Sequence, residues 1–326
     1  MGSFAMTNKV INLTIIVIII IIGFGAFYIH FPIYRNYQIL ERFYQSNRTN
    51  RPAGFGGGVV IFDGNKKQFV TMVQKSMFTL NAQGYIPMPD TIKRVWIDVG
   101  SNIGAFLAPD PVYSMVYWPN RIKKSVRDEF RDANDIMGIA IDPNSIYYEG
   151  LSKIPRIIPI IAAIYTVEGT QIFYEYPVDG CSSLLEPNAD LDPRYFGGNL
   201  IMGCHQVKKM TGVSTIRLET ILSLIDPRLD VEFLKIDAQG TDLEVAQSAG
   251  AQLKRIGKIV IETQKRVSGN NKTNNFLYKN QISAQDSVKW MAEHDFLFDE
   301  KQSFPNNLEI QEFNYVFNNR YRNYTT

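Results

Sequence analysis

The chain is poor in the residues that build metal centres and covalent scaffolds. Three histidines (His30, His205 and His294) and two cysteines (Cys181 and Cys204) occur among 326 residues. There is no His-x-x-x-His or Cys-x-x-Cys spacing, which argues against a transition-metal centre, and two cysteines cannot make a disulfide framework. Charge of one sign is missing too: 34 Lys and Arg against 32 Asp and Glu leave a net +2. Without a basic stripe interleaved with aromatics, nucleic acid is not an expected partner. No internal repeat is visible. With 45% hydrophobic and 20% charged residues, the composition is that of an ordinary globular chain, long enough for a substantial core.

One long apolar run is present. Val10 to Ile29 carries no charge, and about twenty helical residues span about 30 Å, the thickness of a hydrocarbon core. A signal peptide cleaved near Gly23-Phe24-Gly25 is the alternative, but Phe27-Tyr28-Ile29 continues the run past that site and favours an uncleaved anchor. The expected organisation is a tail over 1–9, an anchor in the lipid bilayer over 10–29, a stalk over 30–58, and an α/β domain over 59–326 with its core at 92–265. Arg35, Arg42 and Arg48 against Lys9 pull the domain towards the cytosol by the positive-inside rule. The short tail before a single anchor points the other way, as do the sequons at Asn47, Asn271 and Asn323, though such sequons arise by chance in an asparagine-rich chain. The expectation is a domain in the lumen of the ER or Golgi.

Val95-Trp-Ile-Asp-Val-Gly-Ser-Asn-Ile-Gly104 is an apolar strand running into a glycine-punctuated turn. The Asp-x-Gly-x-Asn-x-Gly spacing does not meet the Gly-x-Gly-x-x-Gly dinucleotide fingerprint, which makes a nicotinamide enzyme a distant reading. An acidic residue two before the first glycine suits the ammonium at the methionine end of S-adenosylmethionine. The bland alternative is a tight βα turn with no ligand.

Strand-like runs then recur at Ile136–Ile141, Ile157–Ile164, Phe233–Ile236 and Lys258–Glu262, with helices predicted over Arg121 to Asn134, Thr241 to Leu253 and Ser283–His294. A small β excursion occupies Thr170–Tyr176, Met202–Val207 and Val213–Leu218, a hairpin is expected over 59–73, and Phe296–Asp299 and Ile310–Phe317 close the chain as strands. Alternating β and α with buried strands implies a mostly parallel, doubly wound sheet. In such a sheet three strand ends converge: Asp98-Val-Gly100, Asp142, and Lys235-Ile-Asp237. Asp142 is placed to accept ribose hydroxyls, or is a simple strand-to-turn Asp before Pro143. Asp237 is a candidate base or acceptor-positioning group, with Lys235 on the same face and Glu262 at a further strand end. A structural Lys235–Asp237 ion pair is the competing reading. A lone His205 is more often structural than catalytic. Cys181 and Cys204 pair if the domain is lumenal, or are small apolar fillers if it is cytosolic.

The ordered segments resemble the FkbM family of S-adenosylmethionine-dependent methyltransferases. They are Trp96-Ile-Asp-Val-Gly-Ser-Asn-Ile-Gly104, Ile141-Asp-Pro-Asn144, Ala162-Ala-Ile-Tyr-Thr-Val-Glu-Gly-Thr-Gln-Ile-Phe173, Ser182-Ser-Leu184, Val213-Ser-Thr-Ile-Arg-Leu-Glu219, Phe233-Leu-Lys-Ile-Asp-Ala-Gln-Gly240 and Lys258-Ile-Val-Ile-Glu262. The resemblance implies a Rossmann-like class I sheet and methyl transfer, most often to a hydroxyl oxygen. It also implies that Asp98, Gly100, Ser101, Asn102 and Gly104 cradle the methionine part of S-adenosylmethionine, that Asp142 holds the ribose, and that Ala162 and Ala163 lie along the adenine. The acceptor it suggests, taken with the anchor, is a glycan or another secretory-pathway molecule; a lipid or small molecule at the membrane surface is the second choice, and a silent binding module on the same fold the third. The sequence departs from the family after Gly104, where Pro109 and Pro111 rule out the helix that normally follows at once. That stretch is either an acceptor-binding lid or a mark of altered cofactor binding.

Overall fold

The computed structural model describes residues 80–102, 129–189, 204, 207–265, 276–307 and 312–322, all within one compact unit, Arg51–Thr326. The apolar run at 10–29, the stalk and the expected leading hairpin lie outside them. Among the described residues no helix is long and apolar enough to cross a membrane.

The strands are β1 (Arg94–Val99), β2 (Ile136–Asp142), β3 (Ile157–Ile161), β4 (Ala163–Ile164), β5 (Gly169–Glu175), β6 (Lys209–Ile216), β7 (Asp230–Ile236), β8 (Ile256–Gln264), β9 (Phe296–Phe298), β10 (Phe304–Asn307) and β11 (Glu312–Asn319). The helices are α1 (Tyr148–Leu151), α2 (Leu218–Ser223), α3 (Asp242–Gln247) and α4 (Ala284–Glu293). The main sheet runs β10-β11-β8-β7-β1-β2-β3, with β9 also on β11. Strands β3, β2, β1, β7 and β8 are parallel, and β11 runs antiparallel to β8. The expected doubly wound, mostly parallel sheet is present. Strand order reverses between β1 and β7, and ligands of such sheets bind outside the carboxyl ends at that point.

Alternation sends successive side chains to opposite faces. Ile97, Val99, Leu234, Ile236, Ile259 and Ile261 meet α2, α3 and α4 through Leu218, Leu243 and Met291. On the other face Trp96, Ala140, Phe233 and Val260 pack with Phe130, Tyr147 and Leu151. Truncating a fully buried member such as Ile97 to Ala costs about 2–5 kcal/mol by this measure.

The expected third strand, Ile157–Ile164, is divided. It leaves the main sheet at Ala162, and β4 joins a second sheet of order β4-β6-β5. The expected long helix from Thr241 is also divided: α3 stops at Gln247 and a 3-10 helix follows at Gly250–Arg255. Gly250 has φ +52, a left-handed conformation that favours glycine at that turn. Thr241 makes no side-chain cap; Asp242 instead reaches back to the turn before the helix. Cys181 and Cys204 are joined by a disulfide, with Cα atoms 5.4 Å apart.

Candidate functional site

The face that carries Trp96 and Phe233 turns polar at its carboxyl end. Asp98 and Lys235 are register partners two residues beyond that aromatic pair. Asp237 follows β7, and Glu262 of β8 is paired with Asn314 of β11. Asp98, Lys235 and Glu262 are 1%, 2% and 4% exposed, and buried charges persist only where partners hold them. The Lys235 ammonium lies 3.0 Å from Asp237 Oδ2 and 3.4 Å from Asp98 Oδ1, and donates to the Gly100 carbonyl at 3.3 Å. Burial pulls the lysine pKa down, but Asp237 and Asp98 outweigh it and hold the ammonium above its ordinary range. Burial likewise favours neutral Asp237, yet the adjacent Lys235 charge keeps that carboxyl below the usual range. Glu262 goes the opposite way, pushed well up by burial and then by the Asp237 charge. The two shifts run in opposite directions because Lys235 favours the charge on Asp237, and that charge in turn opposes a second one on Glu262. Two carboxyl groups around one ammonium leave a formal excess of negative charge, which favours a cationic ligand.

The turn after β1 is fixed by its neighbours. Gly100 has φ +71, and a Cβ there would lie 1.8 Å from the Asp237 carbonyl oxygen; glycine alone lets these strand ends meet. The Gly100 and Ser101 amides donate to the Ile141 carbonyl at 2.9 and 3.2 Å. Asn102, at φ +48, donates its amide to Asp142 Oδ2 at 2.9 Å, and the Asn144 amide donates to Asp142 Oδ1 at 2.8 Å. Burial pushes Asp142 up to about 6 in spite of those two donors. Ser101 is fully buried, and its hydroxyl has no hydrogen-bond partner among the described residues. Such a group costs about 1–3 kcal/mol until a ligand supplies the partner.

A family model described as "Methyltransferase FkbM domain" matches residues 98–298, well over half of the chain. The chain belongs to the FkbM methyltransferase family. Membership implies a methyl donor, and the orphan Ser101 hydroxyl and the excess negative charge fit a cationic one. No curated protein sequence matches the chain. Two solved structures are similar to this FkbM chain. One is the methyltransferase FkbM of Methylobacillus flagellatus KT, 10% identical over 76% of this chain and 50% of that one, with a TM-score of 0.38. The other is a candidate methyltransferase of Thermobifida fusca YX, 11% identical over 86% and 88%, with a TM-score of 0.34. The chain thus spans about half the length of the first structure, and both likenesses are too loose to carry detail across.

Within the FkbM domain, Asp98, Lys235, Asp237 and Glu262 come together as one cluster, with Gly100, Ser101, Asn102 and Asp142 beside it. Ala162 packs into the main core, and Ala163 packs against Phe173 and Val213 of the second sheet, so neither joins the cluster. Gly104, the proline-containing stretch after it and His205 lie outside the described residues. Three further residues take part. Gln239, inside the Asp-Ala-Gln-Gly run, contacts both Asp237 and Glu262. Tyr278 lies in no motif, yet its hydroxyl is 2.7 Å from the Cys181 carbonyl and 3.0 Å from Gln239 Oε1. Asp242, in the first turn of α3, accepts from the Ala238 and Gly240 amides at 2.6 and 2.9 Å, and burial pushes it up to about 7. Glu262, Gln239, Tyr278, Gln281 and Glu312 line a small polar cleft beside the acid pair.

Proposed function

We propose that this chain is an S-adenosylmethionine-dependent O-methyltransferase, anchored through Val10–Ile29, that acts in the lumen on a hydroxyl of a glycan or another secretory-pathway molecule. The observation that carries the reading is the Asp237 carboxyl, 3.0 Å from the Lys235 ammonium at the sheet's switch point and against the Gly100 turn. The Cys181–Cys204 bond supports an oxidising compartment.

When bound, the cofactor supplies an electrophilic methyl group on a sulfonium. The chain's task is alignment and proton removal. The Ser101 hydroxyl, with Asp98 near it, would hold the methionine end, and Asp142 would keep lone pairs for ribose hydroxyls. Asp237 accepts a hydrogen bond from the acceptor hydroxyl and so fixes the lone pair that attacks. Its lowered basicity is sufficient, because a hydroxyl gaining a bond to carbon becomes strongly acidic and passes its proton to a weak base. Glu262, whose own ionisation the Asp237 charge opposes, lies beside it, and Lys235 balances that charge.

The test is transfer of label from methyl-labelled cofactor to a glycan extract by the full-length protein. Label in a glycan, lost with Asp98→Ala and reduced about 100-fold or more with Asp237→Asn, is the expected result. A folded wild type that labels no glycan would overturn it, and label in a lipid extract instead would move the acceptor to the membrane surface. A mobility shift on endoglycosidase treatment is expected for a lumenal domain; cytosolic protease sensitivity without glycan would contradict that placement.

A further inference from the structure

The clearest unassigned feature is a single amide that spans the acid pair. Gln239 Nε2 donates to Asp237 Oδ1 at 2.8 Å and to Glu262 Oε2 at 2.8 Å. We propose that Gln239 is a positioning residue for methyl transfer: its amide clamps Asp237 and Glu262 into one unit and aims the Asp237 carboxylate at the acceptor oxygen. This rests on the reading of Asp237 as the group that faces the acceptor.

The chemistry of the partners dictates how the amide is turned. An ionised carboxylate only accepts, so the NH2 end must face the acid pair and the carbonyl end the Tyr278 hydroxyl, 3.0 Å away. Tyr278 is itself fixed by the Cys181 carbonyl on one side, and its ring lies where a Cβ on Gly240 would come within 2.7 Å. The Gln239 backbone is held equally well. Its φ is +51, its carbonyl accepts from Ser183 Oγ at 2.7 Å, and the amides on either side are bound by Asp242. A side chain pinned at both ends and in its backbone can set the separation and direction of two carboxyls, which solvent water would leave free. The bond donated to Asp237 also stabilises the ionised form, in line with that carboxyl's lowered pKa.

The test is an infrared pH titration of the full-length chain in detergent, following the protonated-carboxyl band in the wild type, Glu262→Gln, Asp237→Asn, Gln239→Leu and Gln239→Glu. The wild-type band at pH 7 should lose intensity in Glu262→Gln, with Asp242, which titrates at about 7, supplying the part that remains. Gln239→Leu should move the Asp237 titration, identified as the one missing in Asp237→Asn, upward by about one pH unit or more. An unmoved titration in folded Gln239→Leu would overturn the proposal. Should that variant fail to fold, Gln239→Glu decides: a third carboxyl in the clamp should add a protonated band at pH 7, and its ionisation there without such a band would overturn the proposal equally. Because this titration needs neither donor nor acceptor, it stands apart from the functional reading. In the transfer assay the acid limb should shift with Gln239→Leu by the same amount. A wild type that transfers no methyl group would refute the role in transfer, while the infrared arm would still decide the clamp.

Discussion

Replacing Gly100 with alanine puts a methyl group where the Asp237 carbonyl oxygen already is. The ideal Cβ would lie 1.8 Å from that oxygen and 2.8 Å from its carbon. Neither side can yield cheaply, because the Asp237 amide donates to the Val99 carbonyl at 3.0 Å and Lys235 reaches the Gly100 carbonyl. Two costs add. An alanine held at φ +71 loses about 1–2 kcal/mol. Forcing the strand ends apart costs about 1–3 kcal/mol more, for a total of about 2–5 kcal/mol. In a domain of this size that lowers Tm by roughly 4–20 °C. Gly84 supplies the control, with φ +85 and nothing within 4 Å of its Cβ, so Gly84→Ala should lose only the dihedral part. Thermal and denaturant unfolding of the two variants side by side is the assay. Equal losses would refute the idea that close approach of β1 and β7 is what requires glycine at position 100.

Asp242 should make stability fall with rising pH. Its carboxyl titrates near 3.8 when unfolded and about 7 when folded, so the stabilisation is full below 3.8 and is lost as pH rises to about 7. The span is at most about 4 kcal/mol, and denaturant unfolding should show that slope abolished in Asp242→Asn. Asp142, pushed up to about 6, should weaken binding of the demethylated cofactor about tenfold for each pH unit below 6 if its carboxylate is the group that holds the ribose, as proposed; affinity that stays flat from pH 7 to 5 would contradict that role. Reducing the Cys181–Cys204 bond, which closes a loop of sequence separation 23, should cost about 3 kcal/mol of stability by the chain-entropy estimate. Denaturant titration with and without reductant checks this, and an unchanged midpoint would count against it.

What the sequence made legible is the part written in apolar periodicity and strand-end chemistry. Runs such as Trp96 to Val99 and Phe233 to Ile236 read as buried strands, and a βα alternation then brings Asp98, Lys235 and Asp237 to one end of the sheet. Local patterns could not show partners distant in the chain. Gln239 and Tyr278 meet across 39 residues, and Ser183 reaches Gln239 across 56; side chains in loops carry no period that would announce such contacts. The split of Ile157–Ile164 was hidden because a continuous apolar run looks the same in one sheet or two. Helix α2 and strand β10 escape for a different reason: both are short, and Arg217, Glu219 and Thr220 break the apolar pattern between β6 and Ile221. Whether the two cysteines pair was left open because it depends on compartment as well as spacing.

The central claim is that the turn from Asp98 to Asn102, with Asp142, binds the methyl donor. Calorimetric titration of the full-length chain with S-adenosylhomocysteine tests it most directly. The account predicts saturable binding by the wild type, weakened tenfold or more by Asp98→Ala. A folded wild type that gives no heat at high ligand concentration would contradict it.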